Sequence, residues 1–455
     1  QRPQDPQGIL VKAAGGVAHT AQDAAFQIVD AAEGILQAAL WAVCHGVDGE
    51  IPPETYYLYW IRTGDDGKRE SGKVSLSAQP FVYETSIDQP GFVRLEAYVV
   101  DGRGTHYRRK FVGSPMTPEG RAAMNRFERQ NKEVFFDGGA GADVETLRSE
   151  QEPKDFDSFW ERQFARLGRV PVKADQVEVD SPNSRTRLYA VRVDCAGLRP
   201  VTGYLSVPKA IGDGLKFPAR LETQGYSGSR CVHEKPTATR DDEIVLNINP
   251  HGLKLVEFGA TEADTKALRW EIRSHDRNYA FDPLQNEDPE TAYFNGMLLR
   301  VKRALQYLKT IGGWTGRNLL ASGNSQGGLQ SVWAAACGEG VTRIECGIPW
   351  CCDLYTSGKL RRDASLKLAA DSFYIPWVEA LGYYDAAHFA KRIPRSCRVV
   401  VTRAGLGDYT CPPAGIVKFW NNISGNKEIH WVQGSEHGYV PPRTYPGRDH
   451  VIRME

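Results

Sequence analysis

The sequence predicts an α/β fold, a mostly parallel sheet flanked by helices, preceded by an antiparallel β-domain. Three observations carry that prediction. Between residues 34 and 111 the apolar period is near two, with aromatics and frequent turn signals. From about residue 177, strand-like runs alternate with helical segments to the C-terminus, the pattern of a parallel sheet covered on both faces. At residues 319–328 an apolar run stops at a Gly-x-Ser-x-Gly, and a small-residue helical stretch follows.

The 455 residues are enough for two or three domains with a large core. Lys and Arg number 56, as do Asp and Glu, so the net charge is zero and neither nucleic acid nor an anionic membrane is an expected partner. No apolar stretch approaches the roughly 18 residues that span a bilayer. The chain begins at Gln1, which suggests a processed or truncated product. The nine cysteines show no CxxC pair or zinc-like spacing, so they read mostly as buried small hydrophobes.

Residues 1–34 are rich in Ala, Gly and Gln and read as an arm or an edge strand. The runs Tyr56-Tyr57-Leu58-Tyr59-Trp60-Ile61 and Val93-Arg94-Leu95-Glu96-Ala97-Tyr98-Val99 alternate, and Asp65-Asp66-Gly67, Gln89-Pro90-Gly91 and Asp101-Gly102 separate such runs. Short strands at these intervals predict an immunoglobulin-like β-sandwich over residues 1–115, with Trp60 in its core. Residues 116–152 read as a connector, with a polar helical piece at 118–133 and a Gly-rich turn, Gly138-Gly139-Ala140-Gly141-Ala142. The catalytic domain is expected over 153–455. It opens on a helix that places Phe156, Phe159, Trp160, Phe164 and Leu167 on one face. Strands are expected at 188–193, 201–208 and 218–223. The polar stretch 250–295, rich in His, Asp and aromatics, reads as an inserted loop or lid. A helix at 298–308 then precedes the Ser325 strand.

Ser325 occupies a strand-to-helix turn, where small residues two before and two after it relieve crowding around a strained backbone. Chance alone would supply such a motif in about one chain of this length in five, so partners must decide. An acyl-transfer serine needs a general base, and the base needs a group that fixes its tautomer. His388 sits in a helical segment and reads as structural, while His430 lies within the strand Glu428-Ile429-His430-Trp431-Val432. His437 follows that strand in a turn, where a base belongs. Arg398-Val399-Val400-Val401-Thr402-Arg403-Ala404 is a strand that leads to Asp408. Asp353, after another strand, is the rival acid. The order Ser325, Asp408, His437 is that of an α/β-hydrolase. A Gly-rich loop, Gly225-Tyr226-Ser227-Gly228, follows a further strand and can turn backbone N–H groups into a cavity.

These pieces together resemble the acetyl xylan esterase / cephalosporin C deacetylase family. Gly225-Tyr226-Ser227-Gly228, Gly323-Asn324-Ser325-Gln326-Gly327-Gly328, Pro349-Trp350-Cys351-Cys352-Asp353, Gly405-Leu406-Gly407-Asp408-Tyr409-Thr410-Cys411-Pro412-Pro413 and Glu436-His437 occur in that family's order. The resemblance covers roughly residues 150–445. It implies an α/β-hydrolase fold, with Ser325 as nucleophile, His437 as base and Asp408 as acid. It also implies oxyanion donors at the backbone N–H groups of Tyr226 and Gln326. No metal or cofactor is implied.

Two departures stand out. Asn324 replaces a small residue, and Trp350-Cys351 replaces a Phe-Leu pair, so Pro349 and Trp350 are the candidate substrate pocket. The implied activity is removal of acetyl groups from acetylated carbohydrate of the xylan or xylo-oligosaccharide type. The implied enzyme is secreted or periplasmic, and a homo-oligomer unless the added domain covers the interface. The residues alone also admit a peptidase or other acyl-ester hydrolase, or a carbohydrate-binding protein with an inactive hydrolase domain.

Overall fold

The computed structural model describes residues 11–13, 56–76, 83–108, 135–227, 233–357, 375–432, 437 and 451–454, with a few positions between 116 and 124. The first strands are β1 (Val11–Ala13), β2 (Tyr56–Gly64), β3 (Arg69–Ser75), β4 (Tyr83–Thr85), β5 (Gly91–Asp101) and β6 (Phe135–Ala142). β3, β2, β5 and β6 form one antiparallel sheet of four strands in that order, and β1 pairs with β4 in parallel. The alternation along β5 is genuine but both of its faces are covered. Leu95, Ala97 and Val99 join Leu58 and Phe136 in a small core. Phe92 on the opposite face belongs to the main core of the following domain. Trp60, expected in the core, is half-buried against the smaller cluster, its ring 4.4 Å from that of Tyr83.

The connector reading needs correction. Gly138-Gly139-Ala140-Gly141-Ala142 is no turn but most of β6, paired with β5 in unbroken register from Gly91–Ala142 to Tyr98–Phe135. Glycines are depleted in strands unless another backbone approaches closely. Here a Cβ on Gly139 would lie 2.3 Å from the carbonyl oxygen of Val93, and one on Gly141 would lie 2.6 Å from Val144. The helical piece expected at 118–133 lies mostly outside the described residues.

The second sheet has ten strands. They are β7 (Ala174–Val179), β8 (Thr186–Val193), β9 (Val201–Pro208), β10 (Phe217–Thr223), β11 (Ile244–Ile248), β12 (Trp314–Ser325), β13 (Arg343–Pro349), β14 (Arg398–Gly405), β15 (Lys427–Val432) and β16 (Val451–Met454). Their spatial order is β16-β15-β14-β13-β12-β10-β11-β9-β8-β7. The six central strands run parallel, while β7, β8, β9 and β16 add antiparallel edges. Among the described residues, alternation with helices therefore holds from β11 onward, and β7, β8 and β9 form a meander.

The helices are α1 (Phe156–Gly168), α2 (Glu262–Ile272), α3 (Tyr293–Leu308), α4 (Gln326–Ala336), α5 (Ala386–Ala390) and α6 (Pro413–Asn422). α1 buries Phe156, Phe159, Trp160 and Leu167, the face its spacing predicts. α3 is buried almost all round because it packs between α1, α4 and the sheet; Leu298, Val301 and Leu305 are wholly buried, and so, nearly, are Arg300 and Arg303. The 250–295 stretch, expected as an inserted loop or lid, is partly helical. It contains α2, capped by a reciprocal Thr261–Asp264 box, and it sends Tyr279 and Ala280 fully into the core.

The strand assignment of the glycine run makes a prediction. Gly139→Ala should lower stability by about 1–3 kcal/mol through overpacking against β5, read by denaturant unfolding. A neutral result would return the run to a solvent-facing turn.

Candidate active site

The central parallel strands deliver their C-terminal ends to one edge of the sheet, and the predicted site residues lie at or beyond those ends. Ser325 closes β12 and Gln326 opens α4. Ser325 has φ 56° and ψ −119°, a region that costs a non-Gly residue on the order of 1–3 kcal/mol. Its neighbours make the strain tolerable. A Cβ at Gly323 would lie 2.6 Å from the Gly327 backbone, and one at Gly327 would lie 2.5 Å from the carbonyl oxygen of Thr223 on β10. A Cβ at Gly328 would meet Pro349 at 2.9 Å. The Ser325 carbonyl accepts the N–H of Trp350 at 3.0 Å, which ties the turn to the loop after β13. Asn324 fits because Gly347 leaves room beside it, a Cβ there falling 1.9 Å from Asn324 Oδ1.

Asp408 follows β14 and is fully buried. Its Oδ1 accepts the backbone N–H groups of Thr410 and Cys411 at 3.0 and 2.9 Å. Its Oδ2 lies 2.9 Å from Nδ1 of His437, which is half-buried beyond the end of β15. The structure thus brings Asp408 to His437. The rival, Asp353, is buried elsewhere, with Oδ2 2.7 Å from Lys418 Nζ. Asp385 holds that loop by accepting the N–H groups of Asp353 and Leu354. His388 is structural as expected, fully buried with its ring nitrogens facing the carbonyls of Gly382 and Glu150. His430 lies on β15 beside Glu428, at 2.5 Å.

The Tyr226 loop leaves β10 next to the turn, where a Cβ on Gly225 would sit 3.5 Å from the Asn324 carbonyl. Gln330 Nε2 donates to the Gln224 carbonyl at 3.0 Å and pins the loop to α4. The Gln326 N–H is one of the unpaired donors that begin a helix. Behind the loop, the rings of Tyr226 and Tyr279 lie 4.6 Å apart, and those of Tyr279 and Tyr293 likewise 4.6 Å. Tyr279 donates to Gln326 Oε1 at 2.6 Å. Burial keeps the Tyr279 phenol protonated, its pKa well above the usual value. His251, hydrogen-bonded to Tyr293, is pushed down to about 3 by burial and then by Arg300 and Arg199, so it is a neutral part of this wall. Trp350 is buried with its ring 5.2 Å from Tyr226, and Pro349 precedes it.

Two participants escaped the reading of the sequence. Tyr279 sits in a stretch with no periodicity, so nothing announced its bond to the turn. Cys411, in the Asp-Tyr-Thr-Cys run, donates its thiol to the Ile348 carbonyl on β13 at 3.7 Å; burial first, and the Asp408 charge next, raise its pKa well above the ordinary value. Its position three residues after Asp408 was the available signal. Asp408, Cys411 and His437 each bring one ligand atom within 4.8 Å of the others. Asp408 Oδ1 is already committed to two N–H groups and the thiol is held protonated, so the set is better suited to hydrogen bonding than to a cation. All seven described cysteines are free thiols.

The family model for acetyl xylan esterase (AXE1) matches residues 142–446, about two thirds of the chain. The chain belongs to the acetyl xylan esterase family. Acetyl esterase Axe7A of Xylanibacter ruminicola is 27% identical over 299 residues, which is 64% of this chain and 65% of that relative. The chain thus spans somewhat less than two thirds of that relative's length. The solved acetyl xylan esterase from Paenibacillus sp. R4 superposes with a TM-score of 0.52 at 23% identity, over 66% of this chain and 94% of that one. That likeness establishes the α/β-hydrolase fold. The family match begins at residue 142, so β1–β5 and nearly all of β6 precede it.

The packing around Ser325 predicts that Gly327→Ala pushes α4 away from Thr223. Turnover of a small acetyl ester should fall about 10²-fold, the cost of a shift near 1 Å at a reacting group. Activity near that of the parent chain would mean that the tight turn is not required.

Proposed function

We propose that this chain is a serine esterase that removes acetyl groups from acetylated carbohydrate of the xylan type. The observation that supports the proposal is the hydrogen bond from His437 to the buried Asp408 carboxylate beyond two strand ends, with Ser325 on a strained turn at the end of a third strand of the same sheet. His437 takes the hydroxyl proton as Ser325 Oγ attacks the acetyl carbonyl. Asp408 holds the imidazole through Nδ1 and stabilises its charged form. The N–H groups of Tyr226 and Gln326 receive the oxyanion, one such donor typically contributing about 10²–10³ in rate. The bond between the acetyl carbon and the sugar oxygen breaks, and His437 gives its proton to that oxygen as the alcohol leaves. Water, deprotonated by His437, then releases acetate and restores Ser325. No step calls for a metal or cofactor.

Pro349 and Trp350 form the wall on the acyl side. Trp350 is buried against Tyr226 and Phe281, ring centroids 5.2 and 6.3 Å away, which suits a short acyl group. The acetylated-carbohydrate substrate is carried over from the family and from the names of its relatives. The antiparallel sheet is read as part of an immunoglobulin-like sandwich that extends past residue 115 to include β6. Action on plant polysaccharide fits a secreted or periplasmic enzyme; among the described residues no helix is long and apolar enough to cross a membrane.

Acetate release from acetylated xylan should vanish in Ser325→Ala. Asp408→Asn should lose orders of magnitude in kcat, whereas Asp353→Asn should keep turnover within a few-fold per folded molecule. Equal losses at the two aspartates, or cleavage of peptides in place of acetyl esters, would overturn the proposal.

A further inference from the structure

Side chains alternate along a strand, so Phe92, Arg94 and Glu96 of β5 share one face. Cross-strand pairs put Gly141, Gly139 and Asp137 of β6 on that face with them. Phe92, Arg94, Glu96 and Asp137 are all buried there. Arg94 grips Asp137 with two parallel bonds, Nε to Oδ1 at 2.8 Å and Nη2 to Oδ2 at 2.6 Å, and Glu96 Oε1 is 3.3 Å from Nη2.

What covers this face is the loop that carries Asp408. The Arg94 guanidinium lies over the Tyr409 ring, 4.5 Å from its centroid. A Cβ on Gly407 would fall 2.5 Å from both Cγ and the carbonyl oxygen of Asp137, so the loop backbone rests directly on β6. The Gly139 position comes within 3.4 Å of the Leu406 carbonyl in the same way. Phe92 packs on Trp431 of β15, the strand that leads to His437, with ring centroids 5.8 Å apart. Both neighbours of Asp408 in the chain, Gly407 and Tyr409, therefore seat on the Arg94–Asp137 pair. The Asp408 carboxylate is itself oriented by N–H groups of its own loop, Thr410 and Cys411, so a shift of the loop is a shift of the carboxylate.

We propose that Arg94 and Asp137 are positioning residues for Asp408, and that the N-terminal sheet is a built-in support for the acid loop. A buried ion pair contributes little net stability compared with an apolar replacement, but it fixes geometry through its planar fork. The inference rests on the reading of Asp408 as the acid of the triad. It assigns a catalytic consequence to residues that precede the family match.

The test compares Arg94→Gln, Asp137→Asn and the conservative Arg94→Lys, with 4-nitrophenyl acetate as substrate and active sites counted by fluorophosphonate labelling. Arg94→Gln and Asp137→Asn should lose about tenfold or more in kcat per labelled site with KM within about twofold. The acid limb of the kcat/KM profile should move to lower pH, because a displaced carboxylate stabilises the imidazolium less. Arg94→Lys should recover part of both effects. Simple destabilisation would lower the labelled fraction and leave the limb in place. Unchanged kcat per site and an unmoved limb in either folded variant would overturn the inference. Should neither variant fold, Tyr409→Leu removes the stacked ring from the loop side, with the same two expected outcomes. Ser325→Ala run alongside separates the failures. A silent Ser325→Ala with normal Arg94 and Asp137 variants rejects only the support, while an active Ser325→Ala rejects the esterase reading and this inference together.

Discussion

The backbone at Ser325 is held at a positive φ by contacts that leave no room for a β-carbon two residues before it, at Gly323, or two after it, at Gly327. Everything else at the site depends on that constraint. β12 must run hard against β10 and β13, α4 must start at once, and the Gly323–Gly327 contact must close, or the hydroxyl does not stand clear of the sheet. The strain costs on the order of 1–3 kcal/mol, and it is offset by the surrounding core, where Leu319, Ala321, Leu329 and Trp333 are almost wholly buried. The Trp350 N–H completes the restraint by holding the Ser325 carbonyl.

Around that fixed point, the polar groups are sorted by their partners. Asp408 has three hydrogen-bond donors and a histidine among them, whereas Asp353, equally buried and also beyond a strand end, is paired with a lysine. A carboxylate neutralised by a buried ammonium has little left to offer an imidazole. The aromatic wall of Tyr226, Tyr279, Tyr293 and the neutral His251 brings no charge near the turn. A directed bond to the turn, from Tyr279 to the Gln326 side chain, braces the residue whose N–H is read as an oxyanion donor.

The placement of Ser325, Asp408 and His437 at or beyond strand ends was legible because each follows an apolar run that reads as a strand, and strand ends are where a parallel sheet collects its loops. Phe156, Phe159 and Trp160 were legible for the same reason at helical spacing. Where pattern and packing diverge, reading failed. Gly138 to Ala142 look like a turn, since glycine in sequence signals flexibility; in the fold the same residues mark close backbone approach, to Val93 on one side and Leu406 on the other. The 250–295 stretch lacks periodicity because its residues are buried one at a time against α3 and the Tyr226 loop. Contacts such as Arg94 on Tyr409 join residues more than three hundred positions apart, and no local pattern encodes them.

The central claim is that Ser325 carries the acyl group. Acid quenching during turnover of an acetyl ester, followed by peptide mass mapping, tests it most directly. The account predicts one added mass of about 42 Da, confined to the peptide that contains Ser325 and lost on the time scale of turnover, as an acyl-enzyme intermediate requires. An acetyl group on another residue, or steady turnover with Ser325 never acetylated, would contradict it.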